Sequence, residues 1–131
     1  KTRKSGVITA AALIVDVILC NVILKNLIAR VRPYDVNTAV QVLVAKPKDF
    51  SFPSGHTAAS FASVTALYLA GEKKLWKPAL ALAILIAFSR MYLYVHYPTD
   101  ILGGVIFGSL SAWIGYRIST KVLLYAMMKK E

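Results

Sequence analysis

The sequence predicts an all-α, polytopic transmembrane helix bundle, and three observations lead there. Of its 131 residues 57% are hydrophobic, more than a soluble domain of this size carries. The apolar residues fall into four long runs, separated by segments holding proline, glycine and charge. The charge is lopsided, with 16 Lys and Arg against 6 Asp and Glu. Those cations sit at the edges of the apolar runs rather than along a polar face, which favours a membrane over nucleic acid.

Residues 1–4 form a basic cap, and Gly6 to Val31 is expected to be one long helix ended by Pro33. Its apolar stretch to Leu24 is about the 20 residues a bilayer crossing needs. Asp16 interrupts it, and an ionisable residue at that depth is expected to face protein rather than lipid. Arg117, about as deep in the last run, is its expected partner. Cys20, the one cysteine, reads as a buried thiol with no internal disulfide. Residues 34–53 make a long connection of the kind that often covers a site, with Thr38 to Ala45 expected to form a short interfacial helix.

Ser54 is the expected N-cap of a second helix reaching Ala70. Small residues recur there at Gly55, Ala59 and Ser63 and at Ala58, Ala62 and Ala66, which lets helix backbones approach closely. The third helix is expected from Leu75 to Val95, with Pro78 tolerated in its first turn. The fourth, capped by Thr99 or Asp100 and running to about Met127, repeats small residues at Gly104, Gly108 and Ala112. The expected organisation is a single membrane-embedded domain over residues 1–131, incomplete at its N-terminus, with at least one further helix upstream.

Four crossings impose a parity. The ends of the first and third helices and the starts of the second and fourth must share one membrane face. That face receives Lys25 and Arg32, Ser54 to His56, Arg90, His96 and Asp100. The opposite face carries ten Lys and Arg (1, 3, 4, 73, 74, 77, 117, 121, 129, 130) against six on this one (25, 30, 32, 46, 48, 90). The richer basic face is expected to be cytoplasmic, so the gathered residues are expected to look outward from a plasma membrane.

Three fixed cations beside two imidazoles describe a pocket for a multiply charged oxyanion, most simply a phosphoryl group. Lys25 and Arg32, seven apart, would lie on one helical face two turns apart. The helix start at Ser54 and Gly55 would add backbone N–H groups and a favourable dipole. His96 followed four residues on by Asp100 is an imidazole with a carboxylate placed to orient it. Each feature has a plainer reading, since arginines snorkel to interfaces and Pro-Ser-Gly commonly opens helices. A divalent metal on His56, His96 and Asp100 is an alternative, opposed by the repulsion of three nearby cations.

Taken together, Lys25-x6-Arg32-Pro33, Pro53-Ser54-Gly55-His56 and Ser89-Arg90-x5-His96-x3-Asp100 resemble, in order and spacing, the three-part signature of the type 2 phosphatidic acid phosphatase superfamily. That superfamily includes membrane lipid phosphatases, undecaprenyl pyrophosphate phosphatases, soluble acid phosphatases and vanadium haloperoxidases. The resemblance implies that His96 is the nucleophile, forming a phosphohistidine, and that Asp100 holds its other nitrogen. It implies that His56 protonates the leaving oxygen and then activates water. Lys25, Arg32, Arg90, Ser54 and Gly55 would hold the phosphoryl oxygens, with no metal and no cofactor. The implied partners are the membrane and a lipid phosphate (undecaprenyl pyrophosphate first, phosphatidate or phosphatidylglycerophosphate second), and no nucleic acid. A non-catalytic lipid-binding scaffold on the same fold is the alternative, and it would need the cations but not the histidine–aspartate pair.

Overall fold

The computed structural model describes residues 2–130, and these are helical with irregular connections and no strand. Helix α1 (Thr2–Asp16) runs without a break into a π-helical segment (Val17–Leu24) and a last α-turn, α2 (Lys25–Ile28). A short α3 (Pro33–Val36) follows, then α4 (Gly55–Leu69), α5 (Trp76–Tyr92) and α6 (Pro98–Met128). The four membrane helices of the sequence reading are therefore α1 with its continuation, α4, α5 and α6. Arg3–Val36 and Pro98–Met128 are each long and apolar enough to cross a membrane. Helices α4 and α5, of 15 and 17 residues, are shorter, and α4 packs against α1, α5 and α6 at the centre of the bundle.

The packing is inverted relative to a water-soluble protein. Large apolar side chains point outward, among them Ile14, Ile18, Leu82, Leu85, Phe88, Ile106 and Trp113. The interior is built of small ones: Ala12, Ala62, Ala66 and Ala112 cluster with Ile8. This is the pattern of helices solvated by lipid, where close backbone approach replaces a core of bulky residues. Gly108 shows how close that approach is, since a Cβ there would lie 2.2 Å from the Ala58 carbonyl oxygen.

The first helix differs from expectation in two ways. Its buried positions step by four along Ile8, Ala12, Asp16 and Cys20, and then by five to Lys25. The π-segment, in which the Lys25 N–H donates to Cys20 O, supplies that longer step and turns Lys25 inward in place of Leu24. The helix then ends at Ile28 and not Val31, because Ala29 adopts a left-handed conformation (φ 50°). Lys25 and Arg32 consequently do not share a helical face; Arg32 is the extended residue that caps α3.

Four further expectations are corrected. The short helix of the long connection is Pro33–Val36, where proline begins it, and Thr38–Ala45 is irregular. Helix α5 stops at Tyr92 and not Val95, and Tyr94 (φ 60°) reverses the chain so that residues 95–97 return toward the bundle. Asp16 and Arg117 form no ion pair among the described residues. Asp16 is buried beside Cys20, and the Arg117 guanidinium lies 5.6 Å from the Trp113 ring centroid. Helix α6 is capped by Tyr97 and not by Thr99 or Asp100: Pro98 opens its first turn, and Asp100 Oδ2 accepts from Tyr97 N at 2.9 Å. Ser54 caps α4 as expected, its hydroxyl accepting from Thr57 N.

Candidate active site

One end of the bundle holds a cleft of about 340 Å³ whose walls include Lys25, Arg32, Gly55, His56, Arg90 and His96. The sequence motifs thus meet in one place. Helix α2 delivers Lys25, the start of α4 delivers Gly55 and His56, and the end of α5 delivers Arg90. The 93–97 turn delivers His96.

His96 is 5% exposed and Asp100 fully buried. Their contact, Nδ1 to Oδ2, is 3.3 Å. On the other side of the ring, Arg32 Nη1 lies 3.2 Å from His96 Nε2. A guanidinium can only donate, so Nε2 is the accepting nitrogen and the ring proton sits on Nδ1, toward Asp100. The Nε2 lone pair therefore points to Arg32, itself a wall of the cleft, and is open to another partner once that donor moves aside. Burial, aided by the charges of Arg32 and Lys25 and opposed by Asp100, holds the His96 pKa below its ordinary value.

Asp100 is itself clamped. Ser51 Oγ donates to Oδ2, and Arg30 Nη1 donates to Oδ1 at 2.9 Å. Arg30 also stacks 4.2 Å over the Tyr97 ring. Arg32 is anchored by backbone carbonyls, with Nε on Asp49 O at 2.9 Å, Nη1 on Val95 O at 2.9 Å and Nη2 on Phe50 O at 3.3 Å. Arg90 is different: its Nε is buried with no hydrogen-bond partner among the described residues, a donor held ready in the cleft wall.

Ser54 and Gly55 divide. Ser54 is fully buried, with its hydroxyl on Thr57 and its N–H on Asp100 O at 3.1 Å. Gly55 lines the cleft, and a Cβ there would lie 3.1 Å from Asn21 Oδ1 and 3.6 Å from Lys25 Nζ. The missing side chain lets the α4 start approach both.

Sequence reasoning missed four residues. Arg30 and Ser51 brace Asp100, Asn21 lines the cleft, and Asp49 binds two of its cations. Asp49 accepts from Lys25 Nζ and from Arg32 Nη2 at 2.6 Å. Burial works to raise its pKa, but the Lys25 and Arg32 contacts outweigh that and hold the carboxyl below its ordinary value. The four-residue step from Asn21 to Lys25 was the one available signal for Asn21; for the others there was none.

Buried imidazole, oriented carboxylate and converging cations are the groups that nucleophilic attack on a bound oxyanion would require. Residues 5–123 match the model of the PAP2 superfamily, and the chain belongs to that family. It is 30% identical over 120 residues to an undecaprenyl-diphosphatase of Sulfolobus acidocaldarius, covering 92% of this chain and 58% of that protein. It is 39% identical over 102 residues to phosphatidylglycerophosphatase B of Bacillus subtilis, covering 70% of this chain and 47% of that protein. A crystal structure of a transmembrane PAP2-type phosphatidylglycerolphosphate phosphatase from Bacillus subtilis superposes with a TM-score of 0.68 at 32% identity. That superposition covers 89% of this chain and 60% of the other. The chain thus spans about half to three-fifths of the length of these relatives.

Proposed function

We propose that this chain hydrolyses a phosphate monoester or diphosphate on a membrane lipid through a phosphohistidine at His96 Nε2. The observation that carries the reading is the tautomer: Asp100 holds Nδ1–H, which leaves Nε2 the unprotonated nitrogen, on Arg32 in a cleft walled by Lys25, Arg32 and Arg90. In the first step the Arg32 donor passes from Nε2 to a phosphoryl oxygen, the freed lone pair attacks phosphorus, and the bond to the lipid oxygen breaks. His56 gives that oxygen its proton. In the second step His56 takes a proton from water, the oxygen attacks phosphorus, and the bond to His96 breaks to release phosphate. The cations stabilise charge on the transferring group, the main protein contribution to phosphoryl transfer.

The phosphatase relatives support a lipid phosphate as substrate, with undecaprenyl pyrophosphate first and phosphatidate or phosphatidylglycerophosphate second. The scaffold alternative gains little support, since a binder has no use for an oriented imidazole. A metal on His96 would have to displace the Arg32 donor already at Nε2. The basic residues concentrated at the opposite end of the bundle favour a cleft on the extracytoplasmic face of a plasma membrane.

The test is phosphate release by purified protein from a panel of lipid phosphates with EDTA present, followed by trapping of labelled phosphate without acid. Turnover is expected in EDTA. Label is expected to accumulate on His56→Ala with an aryl phosphate, whose leaving group needs little protonation, and to be absent from His96→Ala. Arg90→Ala is expected to slow turnover by about 10²–10³-fold, the scale for one preorganised donor. Label persisting on His96→Ala would refute the assignment.

A further inference from the structure

The cleft already contains an anion of its own. Asp49, from the irregular segment after α3, places its carboxylate on Lys25 Nζ and Arg32 Nη2, two of the cations that would hold a phosphoryl group. We propose that Asp49 is the resident counter-ion of the phosphoryl cleft, which yields Lys25 and Arg32 to the phosphoryl group of the substrate and returns to them as phosphate leaves.

Three features of the geometry point this way. The pair is asymmetric in burial, with Lys25 5% exposed and the Asp49 side chain 53% exposed. A buried ammonium without a partner is costly, so Lys25 needs an anion whenever the cleft is empty. A half-exposed carboxylate regains water when it lets go, so its release costs little. The cation is therefore the fixed member and the anion the exchangeable one.

Arg32 supplies the second feature. Its Nε, Nη1 and Nη2 each donate to a backbone carbonyl (Asp49 O, Val95 O and Phe50 O). None of these three bonds uses the Asp49 carboxylate, so Arg32 keeps backbone anchors when that group lets go. The third feature is chemical. A carboxylate spanning one ammonium and one guanidinium presents two oxygens where a phosphoryl group would present two. Occupancy of the cation pair by either anion excludes the other. Without the returning carboxylate, phosphate between a buried lysine and an anchored arginine would leave slowly. Asp49 thus sets how strongly the cleft holds its product.

The proposal rests on the phosphoryl reading of the cleft, and inorganic phosphate is the probe that separates the two. Binding to the purified protein is measured by calorimetry, and product inhibition and KM against a lipid phosphate are measured alongside. Asp49→Asn and the second neutral variant, Asp49→Ser, are expected to bind phosphate about tenfold more tightly, with a lower KM and stronger product inhibition. Asp49→Glu, which keeps the charge, is expected to behave like the wild type. Neutral variants that bind phosphate as the wild type does, or more weakly, would overturn the counter-ion role and leave the cleft assignment standing. Absence of phosphate binding in the wild type and in both neutral variants would overturn the cleft assignment and this proposal with it.

Discussion

A histidine attacks phosphorus only while it is uncharged, so on the proposed mechanism what surrounds His96 decides the acid side of the pH profile. Burial is the largest influence and disfavours the imidazolium; Arg32 and Lys25 add to it, and Asp100 opposes. Because the pKa lies below the ordinary 6.5, the lone pair persists as pH falls past that value and is lost only further down. The acid limb of kcat/KM, which reports the free enzyme, is expected below pH 6.5. Arg30→Gln removes the cation at Asp100 Oδ1, so Asp100 stabilises the imidazolium more and the acid limb is expected to move to higher pH. On the plateau that variant is expected to lose about fivefold in kcat/KM, the kinetic equivalent of about 1 kcal/mol for a partly exposed ion pair. A limb that stays put while the rate falls would show that Arg30 only packs. Lys25, Arg32, His56, Arg90, His96 and Asp100 were legible in the sequence because each is ionisable at the end of an apolar run, where proline punctuates the chain. Asp49, Ser51 and Arg30 were not, because an irregular segment has no period from which to read which side chain reaches back.

At the scale of elements, close approach of α4 and α6 is the feature most exposed to test. A Cβ at Gly108 would meet the Ala58 oxygen at 2.2 Å and its Cα at 2.8 Å, and neither backbone atom can swing aside. Gly108→Ala is expected to force the helices apart and to destabilise the protein by about 1–3 kcal/mol, the usual cost of overpacking. Gly6, in α1, has nothing within 4 Å of such a Cβ. Gly6→Ala is expected to leave stability unchanged or raise it by up to about 1 kcal/mol through helix propensity. Thermal unfolding of both variants in detergent makes the comparison, and an unaltered midpoint for Gly108→Ala would contradict the packing. The four-residue rows of small residues marked both helices for close packing before any coordinates, without naming the partner of either. The π-turn was not visible, since Val17–Leu24 reads equally well at either helical period and only the inward turn of Lys25 reveals the longer step. The helix ends at Ile28 and Tyr92 were also hidden, because Ala29 and Tyr94 carry no marker of left-handed backbone.

For the molecule as a whole, the proposed direction across the bilayer rests on the polar cleft at one end and the basic residues at the other. A cysteine at Lys48, labelled in intact cells with a membrane-impermeant thiol reagent, is expected to react, and one at Lys73 only after the membrane is opened. The reverse pattern would invert the assigned topology. The helices are also unequal in how firmly they are tied together. Helices α1, α4 and α6 pack on one another, while α5 rests on α4 and barely meets α6. Asp100, Arg32 and Lys25 stand on the tightly bound three or on the segments between them, His96 on the turn from α5 into α6, and Arg90 alone rides on α5. The cleft is in this sense a vice with one fixed jaw and one sprung jaw. Tilting α5 would change the gap between Arg90 and the fixed cations, while the contacts of His96 with Asp100 and Arg32 resist a change in the histidine–aspartate spacing. Bilayer thickness acts on helix tilt, so lipid composition would reach the chemistry through the reach of a single guanidinium.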